Sequence, residues 1–196
     1  MIQGSRRPRA ASTPSRELWR TVNPSSSSPS TSPTGPGTAD TPEHPSVTAF
    51  RTALREAGGT GRIVVLPDSV HTAQLAAEAL GCEVGAIANS LLFEAGGSPV
   101  LVLTSGRHRV DVAKVAAAHG LPPLARASPE FVRAHTGQVI GGVSPLAHPA
   151  PVPTYLDRSL RDYPELWAAA GHPAAVFSTT YDELLALTGA TETEVD

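Results

Sequence analysis

The stretch Thr136-Gly137-Gln138-Val139-Ile140-Gly141-Gly142-Val143-Ser144-Pro145 has residue types suited to chemistry without a reactive side chain. Paired glycines let a backbone approach a ligand closely or adopt positive φ, and Pro145 stiffens the exit of the loop. Amides presented this way hold a carbonyl or an oxyanion. The same residues also suit a plain turn between strands, and the motif alone does not separate the two. Gly142 to Leu146 lacks the second glycine of a nucleophile elbow, so Ser144 reads as bonded to its own loop rather than as a nucleophile. A side chain at Gly142 is expected to obstruct a ligand more than it harms folding.

Other candidates are scattered. Asn89 lies in an apolar strand and by period 2 shares a face with Ile87, Leu91 and Phe93, which read as core. A buried carboxamide there needs partners, either neighbouring backbone or a bound ligand. Asp157 ends a strand, as a turn aspartate or a pocket carboxylate. Arg107, His108 and Arg109 form the densest basic run after residue 45, a solvated loop or a contact for phosphate. His71 precedes a helix cap at Thr72 and is within reach of a pocket, though a loop histidine explains it equally. Asp111 and Lys114 are explained by a cap and a surface pair. Cys82 has no His partner in local sequence and reads as structural.

Several machines are excluded. Lys114, the only lysine, follows Ala113, so there is no phosphate-binding G-x-x-x-x-G-K-[ST] loop, and no G-x-G-x-x-G follows a strand. The seven histidines show no metal-ligand spacing, and one cysteine permits neither an internal disulfide nor a multi-Cys zinc pattern. No cofactor or metal is expected. The longest uncharged apolar-rich run, Val84 to Phe93, is too short to span a bilayer, and a cytoplasmic, reducing compartment is expected. The net charge of −3 advertises no nucleic-acid field.

These residues need elements to position them. Residues 1–45 hold eight of the 19 prolines and nine serines, including Ser25 to Ser28, and are expected to form a disordered tail. Residues 46–196 are expected to form one domain. Ser46 reads as the cap of a helix with Val47, Phe50, Ala53 and Leu54 on one face, ending at Gly58-Gly59. Arg62 to Leu66 reads as a strand and Thr72 as the cap of a helix ending at Gly81. Ala86 to Glu94 and Val100 to Thr104 form a hairpin. Helices are expected from Asp111 to His119, after Ser128-Pro129, over Tyr163–Ala170, and over Tyr181–Thr188 behind the capping box Thr180-x-x-Glu183. Short strands are expected near Val139-Ile140, Val152–Leu156 and Ala175–Ser178. Interleaved helices and strands with a hairpin give an α+β domain with a mixed sheet.

The order of the motifs carries a resemblance. Ile87-Ala88-Asn89-Ser90-Leu91-Leu92-Phe93 is followed by Gly106 to Lys114, the Gly141-Gly142-Val143-Ser144-Pro145 loop, Pro153-Thr154-Tyr155-Leu156-Asp157 and Ala169-Ala170-Gly171. Over roughly 47–190 this series resembles the YbaK family, the aminoacyl-tRNA editing domains found within or beside prolyl-tRNA synthetases. The resemblance implies a partly open, barrel-like mixed sheet flanked by helices, and hydrolysis of the ester joining a wrong amino acid to tRNA. It implies aminoacyl-tRNA as substrate, an aminoacyl-tRNA synthetase as partner, and neither metal nor enzyme nucleophile, because the terminal ribose hydroxyl assists the attacking water. Gly141 to Pro145 match the family's loop, and Asp157 its strand aspartate in the same pocket. The family's strand lysine is here Asn89, and the glycine after its Ser-Pro-Leu is here Ala147. The lysine is tied to activity, so two readings stay open. One is a deacylase; the other is a non-catalytic module holding a small ligand, tRNA or a synthetase.

Overall fold

The computed structural model describes residues 43–68 and 70–196. The Ser/Pro-rich segment lies outside these residues up to position 42. The described chain begins a little before the expected boundary at 46. Helix α1 (Pro45–Glu56) opens with Pro45 in its first turn, and His44 rather than Ser46 is its cap: Nδ1 of His44 accepts from the Ser46 amide at 3.2 Å. Proline suits that position because its missing N–H would have no helical partner there.

Among the described residues, eight strands make one open mixed sheet: β1 (Ile63–Val65), β2 (Ile87–Ala95), β3 (Ser98–Ser105), β4 (Leu124–Arg126), β5 (Thr154–Asp157), β6 (Leu166–Ala169), β7 (Ala175–Thr179) and β8 (Thr191–Thr193). They lie in the order β1-β7-β6-β2-β3-β5-β8, with β4 pairing β2 off this path. The β2–β6, β3–β5 and β5–β8 pairs are parallel and the rest antiparallel. The expected mixed α+β architecture is present.

Helices cover both faces. On one, Val47, Phe50 and Leu54 of α1, Val132 of α4 (Pro129–Thr136), and Tyr181 and Leu184 of α5 (Tyr181–Thr188) pack on Ala88, Leu92, Leu101, Leu103, Leu156 and Phe177. On the other, α2 (Ala73–Leu80) buries Ala76 and Ala77 against Ile87, Trp167 and Val176. Beside it α3 (Val112–His119) buries Val115 and Ala116 against Val100, Val102 and Tyr155. The side chains of Thr72, Asp111, Ser128 and Thr180 each accept an amide hydrogen bond at the start of a helix, as their types predict.

Two expected elements are different. Val139-Ile140 is an exposed turn rather than a strand, closed by Gly142 N–H to the Val139 carbonyl at 2.9 Å. Instead of a helix over Tyr163–Ala170, strand β6 lies between β2 and β7, registered as Trp167 to Ser178 and Ala168 to Ala88. Its Leu and Ala residues favour helix intrinsically, but pairing on both edges overrides that preference.

Candidate functional site

The loop joining α4 to β5 is held by Gln138. The Gln138 Oε1 accepts from the Ser144 amide at 2.7 Å, and its Nε2 donates to Ser144 Oγ at 2.9 Å. Both residues are buried. Ser144 is thereby bonded within its own loop, as its lack of a nucleophile elbow predicts. His148 gives a second anchor: its Nε2–H donates to the Ser144 carbonyl at 2.8 Å. Burial lowers the pKa of this imidazole, outweighing the opposing effect of the Ser144 bond.

Within the motif, the amides of Gly142 and Ser144 are engaged by Val139 and Gln138. The Gly141 and Val143 amides take no part in these bonds, and Pro145 has none. Gly141 has φ +86, a backbone state that disfavours any side chain. Gly142 lies against the turn between β6 and β7: a Cβ there would stand 2.7 Å from the His172 carbonyl carbon and from Pro173. Its lack of a side chain is therefore required by packing, contrary to the expectation that a side chain there obstructs a ligand more than it harms folding. Ala147 carries φ +63, so the family's glycine at that position suits the backbone. Alanine there costs about 1 kcal/mol.

Asp157 is 2% exposed and accepts four hydrogen bonds. They come from the Ser105 amide (3.0 Å), the Ser159 amide (2.9 Å), Thr104 Oγ1 (3.3 Å) and His108 Nδ1 (3.0 Å). Burial opposes its ionisation, but the Ser105 and Ser159 amides, the Ser159 hydroxyl and His108 outweigh that and hold the carboxyl below its usual range. Of the basic run, His108 is thus half-buried on Asp157, Arg107 pairs with Asp162 at 3.3 Å, and Arg109 is exposed. Thr72 uses its hydroxyl on the Leu75 amide to cap α2, and His71 is exposed beside it.

Asn89 is half-buried, and its face is not the main core. Alternation turns Ala88 and Leu92 to the α1 side, while Asn89 shares the opposite face with Leu91, which is 38% exposed. Asn89 pairs with Thr104 across β2–β3, and Thr104 bonds Asp157. Asn89, Thr104 and Asp157 therefore form a polar row on the α2/α3 face. Val143 packs on the other face.

One feature of the sheet links the two sides. β3 pairs β2 from Ala88 to Ala95, but on the other edge β6 pairs only Ile87 and Ala88, and β4 only Phe93 to Ala95. Among the described residues, no strand pairs 89–92 on that edge. The β6–β7 turn, on which Gly142 rests, continues from the end of the β2–β6 ladder. Gly142 of the loop thus rests on the turn that follows β6, and Asn89 stands at the start of the unpaired stretch of β2. A separate cleft of about 510 Å³ lies between α1 and the stem of the loop, lined by Thr52, Glu56, Gln138, Ala147 and His148 among others. Neither Asn89 nor Asp157 lines it. Sequence reasoning missed Gln138 and His148; a lone Gln and a His flanking the glycine motif were the available signals.

Residues 67–187 match the aminoacyl-tRNA editing domain family. The chain belongs to that family. A solved structure described as a candidate trans-editing enzyme for prolyl-tRNA synthetase superposes on this editing domain with a TM-score of 0.74 at 46% identity. That match covers 78% of this chain and 98% of the other. The uncharacterized protein YwhH of Bacillus subtilis is 32% identical over 142 residues, 71% of this chain and 88% of YwhH. EbsC of Enterococcus faecalis, named as a candidate Cys-tRNA(Pro)/Cys-tRNA(Cys) deacylase, is 28% identical over 125 residues, 63% of this chain and 76% of EbsC. No helix among the described residues is long and apolar enough to cross a membrane.

Proposed function

We propose that this editing domain is an aminoacyl-tRNA deacylase that acts in trans in the cytoplasm, hydrolysing the ester of mischarged tRNA. The observation that carries the reading is the locked loop: Gln138 and His148 fix Ser144 from two sides, and the amides of Gly141 and Val143 are left out of the loop's internal bonds. Preorganised amides stabilise the oxyanion that forms when water adds to an ester carbonyl. Water adds to that carbonyl with help from the terminal ribose hydroxyl. The bond to the tRNA oxygen then breaks, and a free amino acid and an uncharged tRNA leave. Asn89 borders the acyl group from the opposite face. Asp157 keeps that face ordered through Thr104 and His108, and Arg109 is free to meet phosphate. Thr72 and His71 flank the start of α2 on the same face and approach the substrate from there.

The charge balance makes tRNA binding modest and salt-sensitive. A synthetase partner supplies further grip.

A second reading, a binding module without turnover, is favoured by one residue: Asn89 supplies hydrogen bonds but no positive charge where family members have lysine. Incubating the protein with Ala-, Cys- and Ser-charged tRNAs, Cys-tRNA(Pro) among them, separates the two. Loss of the ester from at least one is the expected result. Tight binding with every ester intact supports the module.

A further inference from the structure

The strand β2 holds a hydroxyl that the fold does not use. Among the described residues, Ser90 Oγ is the buried side-chain polar atom with no hydrogen-bond partner. A hydroxyl shut away from water and left unpaired weakens a fold, and alanine at the same place would remove that cost. Ser90 therefore does not serve stability.

Its location gives the alternative. Ser90 lies within residues 89–92, the stretch of β2 that neither β6 nor β4 pairs. The Ile87 carbonyl accepts from the Gly106 amide on the β3 side. Alternation then turns the main chain of Asn89 and Leu91 toward β3, and that of Ser90 toward the gap. The Ser90 side chain leaves the sheet on the face of Ala88 and Leu92, where Val143 of the glycine loop also packs. The hydroxyl and Val143 of the loop thus lie on one face of the sheet, and the Ser90 main chain is turned to the unpaired edge of β2. A polar molecule entering there would meet a donor and acceptor with no competing partner, so no existing bond need break when it binds.

We propose that Ser90 is a substrate-positioning residue whose hydroxyl hydrogen-bonds the aminoacyl group of the ester in this gap. The assignment rests on the deacylase reading. It adds a side-chain contact to a site otherwise built from backbone amides and Asn89, and it makes the orphaned hydroxyl a trade of stability for substrate alignment.

The test compares wild type, Ser90→Ala and Ser90→Thr on the mischarged tRNA that the wild type hydrolyses best, with melting curves for each. Ser90→Ala is expected to lose about 2- to 13-fold in kcat/KM, the value of one neutral hydrogen bond. It is expected to melt no lower than wild type, and by up to about 2–4 °C higher. Ser90→Thr keeps the hydroxyl and is expected to retain most of the activity. A hydroxyl with a merely structural role would not give lower activity together with equal or higher stability. Unchanged kcat/KM in Ser90→Ala overturns the proposal while leaving the deacylase reading intact. A wild type inert on the whole panel overturns both.

Discussion

Gln138 and Ser144 form a two-point clamp, with Oε1 of Gln138 on the Ser144 amide and its Nε2 on the Ser144 hydroxyl, at 2.7 and 2.9 Å. Both side chains are almost wholly buried, so truncating Gln138 leaves the Ser144 amide unpaired away from water. That costs about 1–3 kcal/mol, and each kcal/mol lowers Tm by roughly 2–4 °C in a chain of this size. Gln138→Ala is expected to melt lower and to lose deacylation, because the Gly141 and Val143 amides are no longer held. Thermal melts alongside ester hydrolysis check this; equal stability would show that the clamp does not order the loop.

Gly142 is expected to behave differently from an ordinary loop glycine. A Cβ there meets the His172–Pro173 backbone at 2.7 Å, so even Gly142→Ala pushes the loop from the turn it rests on. Overpacking of this kind costs about 1–3 kcal/mol. A lower Tm and slower hydrolysis should appear together in Gly142→Ala. Normal melting with full turnover would mean that the loop tolerates displacement.

Acid is expected to destabilise this fold in two stages. His148 has a pKa lowered by burial, so the unfolded chain binds the proton more readily. Its stabilising effect is complete above the ordinary histidine pKa of about 6.5 and declines as pH falls below it. Asp157 is also depressed, so its contribution is complete above about 3.9 and is lost as pH falls through the lower folded value. Denaturant melts between pH 7.5 and 5 should show declining stability, with a flatter slope in His148→Gln. An identical slope in that variant would remove His148 from the account.

The first residues of α1 matter more than their composition suggests. A protein starting at Glu43 keeps the His44 cap, Pro45 and the Glu43–Arg51 pair. One starting at Ser46 loses all three, and loss of a cap alone costs about 0.5–2 kcal/mol. The form starting at Ser46 should melt several degrees lower than the form starting at Glu43. Equal melting of the two truncations would show that α1 needs no cap.

Local chemistry made much of this fold legible. Thr72, Asp111, Ser128 and Thr180 announce helix starts because a side-chain oxygen beside free amides has one favourable use. Two features stayed hidden because they depend on distant partners. Nothing within Leu166 to Ala169 announces a strand; β2 and β7 make it one. With helices on both faces of the sheet, apolar residues occupy both registers of β2, so alternation did not reveal which face Asn89 takes. The glycine loop was legible as a candidate site. Its clamp was not, since Gln138 is an unremarkable residue until Ser144 is folded onto it.

Turnover by a chain with Asn89 in place of the family's lysine separates the deacylase from the binding module. Single-turnover hydrolysis of one panel of mischarged tRNAs by wild type, Asn89→Ala and Asn89→Lys, with melting curves as a folding control, tests it most directly. Wild type is expected to clear at least one ester, and Asn89→Ala to be slower by about 2- to 13-fold, the value of one neutral hydrogen bond. A wild type inert on every tRNA, with activity appearing in a well-folded Asn89→Lys, would contradict the deacylase reading.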